Sequence, residues 1–188
     1  MQLEQFKQSI LPCTLLHEGG YIFDMDDKGQ ETYRGISRVN NPSWEGWPIV
    51  DQLKPLKRGD IVNHAGLKEA VAKLYFEKYF KKNRFDEIES PKKALVLFDF
   101  AVNGGYSVFM VQNILNIVFA KGLLNDGVLG AKTLTAINEV PDVLFCNEVN
   151  KFRIARFKRI VEKDPTQEKF YEGWINRVRK LNDQLKTI

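Results

Sequence analysis

No stretch of the chain approaches the ~20 consecutive apolar residues of a membrane-spanning helix, so no such span is expected. The N-terminal run MQLEQFKQSILPC lacks a basic start, an apolar core and a small-residue cleavage site, so no secretory signal is expected there. The protein is accordingly expected to be made in the cytoplasm, reaching any target beyond it by release or export along a route the sequence does not show. Cysteine is scarce: Cys13 and Cys146 stand alone without metal-type spacing, and their apolar neighbours Leu15, Leu16 and Phe145 favour buried free thiols over a disulfide. Zinc-finger spacing, a glycine-rich phosphate loop and an aromatic-basic RNA motif are all missing. Internal repeats, low-complexity tracts and flexible linkers are missing too.

What is present suits a folded domain. Hydrophobic residues make up 44% of 188 positions and aromatics 12%, enough for a core in one domain, or one domain with a helical appendage. The net charge of +4 is unevenly placed. Lys and Arg balance Asp and Glu at 17 each through residue 141, while residues 142–188 carry 11 against 7. A basic segment suits a polyanion such as nucleic acid, an anionic membrane or an acidic wall polymer. Arg153, Arg156, Lys158 and Arg159 are the residues that would attract it, unless they form an ordinary solvated face. Without a supporting motif, nucleic acid becomes a distant option.

Residues 2–17 place Leu3, Phe6, Ile10, Cys13 and Leu16 or His17 at helical spacing, with Pro12 expected to kink the helix or start a fresh turn. Gly19-Gly20 ends it. Tyr21 to Phe23 and Thr32 to Ile36 read as two short strands around the turn Asp26-Asp27-Lys28-Gly29. Asn41 to Pro48 reads as a loop bearing Trp44 and Trp47. Helices are expected over 66–83, from Pro91 to Asn103, over 106–120 and 130–138, near 142–162 and near 166–185. The chain therefore reads as a helical protein with one small β-hairpin.

The stretch LLHEGGYIFDMDDKGQETYRGISR concentrates five carboxylates, four glycines and a histidine. Glu18 ends an apolar helix, where desolvation and the negative helix terminus both favour the neutral acid. A neutral carboxylic acid is what protonation of a leaving group requires. Two glycines after it leave no side chains to block an approach, and the hairpin returns Asp26, Asp27, Thr32 and Tyr33 toward it. An acid facing a second polar group is the machinery of glycoside hydrolysis; the plainer reading is a capped helix followed by an acidic turn. His17 points about 100° away from Glu18 on a helix and reads as structural, and His64 as a loop histidine without an evident partner. Trp44 and Trp47 either stack on sugar rings or anchor their loop. Asp99 and Asn103 lie four apart on one helix face, and a buried setting demands partners for both. They either bond the hairpin and support a cleft or line it, Asn103 with Gly104-Gly105 being the better cleft candidate.

The residues Glu18-Gly19-Gly20-Tyr21, Asp27, Gly29, Glu31-Thr32-Tyr33 and Gly35-Ile36-Ser37 resemble the signature of glycoside hydrolase family 108, lysozyme-like N-acetylmuramidases of the endolysin type. Asn41-Pro42, Trp44 and Glu45-Gly46-Trp47 are similar to that family as well. The order of Glu18, Asp27 nine positions on and Thr32 fourteen positions on is similar to a phage-type lysozyme triad. Leu97 to Gly104, Gln112 to Leu115, Asp126 to Leu134 and Phe170 to Val178 resemble the peptidoglycan-binding region that follows such catalytic segments. Gln30 departs from the pattern by standing at its second glycine, so a position calling for positive φ would force a differently shaped hairpin tip. Phe76 and Phe80 stand in a helix where family members often carry Trp.

The resemblance implies a mainly α, lysozyme-like α+β fold: an N-terminal helix, a small β-hairpin, then a helical bundle. Residues 1–90 would form the catalytic region and residues 91–188 the peptidoglycan-binding-like region, packed as one compact body. It implies cleavage of the β-1,4 bond between N-acetylmuramic acid and N-acetylglucosamine in peptidoglycan. Glu18, Asp27 and Thr32 would be catalytic, and Tyr33, Trp44 and Asn103 would contact substrate. No metal or organic cofactor is expected. The partners would be glycan strands, with no nucleic acid and no integral membrane association, and the protein is expected to act as a monomer. The rival reading is a wall-binding module that keeps the fold without turnover.

Overall fold

The computed structural model describes residues 1–27 and 29–188, so the Lys28 position of the expected turn lies outside the described residues. Two compact units divide the chain, residues 2–78 and residues 79–188 together with Met1.

The N-terminal unit begins with α1 (Leu3–Gln5), a π-helical turn (Phe6–Ile10) and α2 (Leu11–Leu15). Pro12 explains the irregularity. It has no N–H to give to the carbonyl four residues earlier, and its ring crowds that carbonyl. The helix widens just before it, so that the Leu11 N–H donates to the Phe6 carbonyl five residues back. The widened turn keeps Phe6 and Ile10 fully buried, and the Phe6 ring meets Phe76 with centroids 5.4 Å apart.

Three short strands follow, β1 (Tyr21–Phe23), β2 (Glu31–Tyr33) and β3 (Ile36–Ser37), antiparallel in the order β1-β2-β3. Tyr21 faces Tyr33, Ile22 faces Thr32, and Tyr33 also faces Ile36. The period of two puts Glu31 and Tyr33 on the buried face and Thr32 on the other. The continuous strand expected from Thr32 to Ile36 is broken instead by a two-residue turn. Arg34 and Gly35 take φ of 50° and 76°, the consecutive left-handed pair of a type I′ turn, whose twist matches the flanking strands.

The expected loop over Asn41 to Pro48 runs into a helix that periodicity did not reveal, α3 (Trp47–Gln52), with Pro48 in its first turn. Helix α4 (Ala65–Tyr75) passes into a second π-helical stretch, Phe76–Lys81. His64 is its N-cap: Nδ1 accepts a hydrogen bond from the Leu67 N–H at 3.2 Å, which gives the supposed loop histidine a partner.

The C-terminal unit holds a 3-10 turn (Phe85–Glu87), α5 (Pro91–Val102), α6 (Val108–Phe119), α7 (Ala131–Glu139), α8 (Asp142–Lys163), a further 3-10 turn (Pro165–Gln167) and α9 (Glu168–Gln184). Ser90 caps α5 by accepting from the Lys93 N–H, and Ser107 caps α6 by accepting from the Met110 N–H. Residues 94–98 are buried on every side, so α5 is the central rod. Gln112 organises the turn before α7, its amide donating to Asp126 and Val128 while its carbonyl oxygen accepts from the Gly127 N–H. Lys93 is buried as well, and its ammonium donates to the Ile137 and Asn138 carbonyls at the end of α7 at 2.8 and 3.0 Å. The architecture is mainly α with one small antiparallel sheet.

Candidate active site

Glu18 sits three residues beyond the end of α2. The His17 and Glu18 N–H groups donate back to the Thr14 and Leu15 carbonyls, closing the last turn. Gly19 then stands in open space, whereas Gly20 does not. A Cβ at Gly20 would lie 2.2 Å from the Gly59 carbonyl oxygen, so this glycine exists to let two backbones touch. There the Tyr21 N–H donates to the Asp60 carbonyl at 2.8 Å and the Gly59 N–H donates to the Tyr21 carbonyl at 2.7 Å. Clearing an approach is thus a role left to Gly19 alone.

The carboxylate of Glu18 rests against the type I′ turn. A Cβ built on Gly35 would lie 2.6 Å from Glu18 Oε2 and 2.7 Å from the Tyr75 hydroxyl. Gly35 is therefore required twice, by its φ and by the oxygen atoms occupying the place of a side chain. Three hydrogen bonds hold the assembly. The Tyr75 hydroxyl donates to the Arg34 carbonyl at 2.8 Å, Arg34 Nη1 donates to the Glu18 carbonyl at 3.1 Å, and the Arg34 N–H donates to the Gly20 carbonyl at 3.3 Å. The half-buried acid, the turn and α4 are locked into one geometry.

A second polar group gathers at Gly29. The position of its absent Cβ lies 3.2 Å from Thr32 Oγ1, 3.3 Å from Asp27 Oδ1 and 3.4 Å from Ser37 Cβ. Asp27 is exposed, and its Oδ1 accepts the Gly29 N–H at 2.7 Å, an Asx turn that fixes the carboxylate. Thr32 projects from the outer face of β2 beside Ser37. Gln30 takes φ of 48°, so this position keeps the left-handed backbone without glycine.

Tyr33 and Trp44 are core residues, 2% and 7% exposed. The Tyr33 hydroxyl accepts the Val62 N–H at 3.1 Å, and its ring stacks on Trp44 at 6.5 Å. Trp44 Nε1 donates to the Ala70 carbonyl at 3.1 Å, and its ring meets the edge of Trp47. Beneath the sheet lies Glu31, a buried carboxylate that sequence reasoning passed over. Burial pushes its pKa up, but hydrogen bonds from Lys54 and the Tyr21 hydroxyl and the charge of Arg38 outweigh this and hold it below the ordinary range. Its signal in the sequence was a charged residue in register with Tyr33 on the inward face.

Asn103 belongs to the C-terminal unit, at the end of α5, with its side-chain nitrogen buried and lacking a hydrogen-bond partner. Asp99 is fully buried and pairs with Arg153 and Arg177, both at 2.8 Å, which gives it the partners its burial demands. Burial pushes the Asp99 pKa up, yet the two guanidinium groups hold it below the usual carboxylate value. Arg153 is likewise fully buried, which removes it from the residues expected to attract a polymer. Neither cysteine is in a disulfide; Cys13 is only partly buried, and burial pushes the Cys146 thiol up to about 12. Among the described residues no cluster of His, Cys, Asp or Glu could hold a metal ion, and no helix is long and apolar enough to cross a membrane.

The mainly α, lysozyme-like frame and a family match make this chain a glycoside hydrolase. The family model described as glycosyl hydrolase 108 matches residues 11–105, and the chain belongs to that family. Residues 106–179 match a model described as "Predicted Peptidoglycan domain". Among solved structures, SagA of Brucella abortus is similar at 26% identity and a TM-score of 0.66, over 98% of this chain and 95% of that one. No curated protein matches. The two matched regions together support a peptidoglycan hydrolase.

Proposed function

We propose that the protein cleaves the β-1,4 bond between N-acetylmuramic acid and N-acetylglucosamine, with Glu18 as general acid. The observation that carries this reading is the Glu18 carboxylate held over Gly35, in the same small unit as the Asp27 and Thr32 oxygens at Gly29. Protonated Glu18 gives its proton to the bridging oxygen as the glycosidic bond breaks. Positive charge then develops at the anomeric carbon, where the Asp27 carboxylate steadies it and Thr32 helps to place the attacking water. Hydrogen bonds from Arg34 to the Glu18 carbonyl and from Tyr75 to the Arg34 carbonyl fix the backbone that carries the acid, which limits reorganisation during the reaction.

Glu18→Gln keeps the shape of the side chain and removes the transferable proton. Hydrolysis of purified walls should fall by ~10²–10⁴, the usual contribution of a general acid, while sedimentation with the walls persists. Mass spectrometry of wild-type products should find muramic acid at the new reducing terminus. Glucosamine at that terminus would refute the bond assignment. Wild-type protein that binds walls without releasing reducing ends would make it a non-catalytic binding module.

A further inference from the structure

Arg156, Arg159 and Lys163 project from one flank of α8 at spacings of three and four, the repeat of a single helix face. They share a concavity of about 340 Å³ with Gly105 and Ser107, which precede α6. Met110, Phe152 and Ile160 supply apolar lining, and the Arg159 guanidinium lies 5.8 Å from the centre of the Phe152 ring. Among the described residues no Asp or Glu lines it, and no ion pair joins any of the three cations to a carboxylate. Elsewhere on the same helix Lys151 pairs with Glu148 and Arg153 with Asp99, while Lys158, which does not line the hollow, has no carboxylate partner among the described residues. Three like charges around one hollow repel each other, and a bound anion relieves that repulsion. The N-terminal end of α6, twelve residues long and capped by Ser107, adds its positive dipole to the same side.

We propose that this hollow is a separate binding site for a carboxylate carried on a small aliphatic body, as at the C-terminus of a peptidoglycan stem peptide. The inference rests on peptidoglycan being the substrate. The cations alone would accept any oxyanion, including phosphate. Met110, Phe152 and Ile160 favour one attached to short apolar groups, whose methyls they would remove from water. The volume lies near the lower end of the roughly 300–1,000 Å³ of small-ligand pockets, which suits one or two amino-acid residues rather than a glycan strand. The basic C-terminal segment would thereby engage the peptide branch while the N-terminal unit works on the sugar chain.

The test titrates the full chain with N-acetyl-D-alanyl-D-alanine, with its C-terminal amide and with inorganic phosphate, following backbone amide resonances and binding heat. The free acid should shift the resonances of Gly105, Ser107 and Met110 and bind at least tenfold more tightly than the amide. Its affinity should fall as salt rises. Arg156→Gln combined with Arg159→Gln should weaken it at least tenfold, and Lys163→Gln alone should weaken it less, with thermal melts matching wild type. Equal binding of acid and amide, or binding unmoved by these substitutions, would overturn the proposal. Phosphate binding more tightly than the dipeptide would overturn the assignment to a peptide terminus. The same titration in Glu18→Gln protein keeps the two claims apart: hydrolysis depends on Glu18, dipeptide binding on the arginines, and either result can fail alone.

Discussion

Gly35→Ala tests how tightly the fold fixes the acid. The substitution adds one methyl group where Glu18 Oε2 would be 2.6 Å away and the Tyr75 hydroxyl 2.7 Å away. Ordinary contact needs 3.4 Å or more, so the Glu18 carboxyl, the tyrosine or the turn must yield by about 1 Å. Left-handed backbone at φ 76° adds about 1–2 kcal/mol against alanine, partly offset by the ~0.4–1 kcal/mol that alanine gains through a less flexible unfolded chain. Unfolding free energy should therefore drop by about 0–1.6 kcal/mol through the backbone alone, and by more once the clash is added, in a urea titration. The catalytic effect should be larger. Misplacing a reacting group by about 1 Å costs ~10² in rate, near 2.7 kcal/mol of barrier, so reducing-end release from walls should fall about a hundredfold. Adding Tyr75→Phe removes one of the two colliding oxygens, and part of the lost activity should return. Gly35→Ala protein with wild-type turnover and an unchanged melt would refute the reasoning, because it would mean that the acid is not held where the turn meets it.

The C-terminal unit should respond to Asp99→Asn, which leaves fully buried Arg153 without its countercharge; breaking a buried pair of this kind costs about 3–5 kcal/mol, readable in urea. Acid should destabilise both units: Asp99 and Glu31 have folded pKa values below their ordinary 3.8 and 4.5, so the stability they contribute is complete above those values and is lost as pH falls through the lower, folded ones. Melts from pH 7 to pH 2 should accordingly be flat in this respect down to about pH 5 and decline below it, and a decline already under way between pH 7 and pH 6 would contradict the assignment. Ala120 ends α6 at φ 52°, so Ala120→Gly should raise the melting temperature through a gain of up to about 1 kcal/mol.

The regular helices were legible in the sequence and the irregular joints only partly so. Pro91 marked the start of α5 because a proline in the first turn has local consequences that no packing needs to explain; the Ser90 cap before it became evident in the structure. Pro12 marked a disturbance, but its form, a widened π turn keeping Phe6 and Ile10 inward, depends on the core those residues must reach. Helix α3 was obscured because Trp44, Trp47 and two prolines look like loop residues until the rings are seen packed on Tyr33 and on each other. The site divides in the same way. Glu18 stood out through its position at a helix end, and Asp27 with Thr32 through the hairpin that followed. The requirement for Gly35 was visible only as an Arg-Gly pair, since its second cause is a carboxylate arriving from seventeen residues earlier. The partners of Asp99 lie 54 and 78 residues away, beyond any local pattern. Gln30 shows the limit most clearly: a missing glycine suggested a reshaped hairpin, yet the backbone keeps φ at 48°. The Asx turn at Asp27 and the pairing of Tyr21 with Tyr33 close the hairpin from both sides of that residue, and together they outweigh the ~1–2 kcal/mol that its side chain costs there.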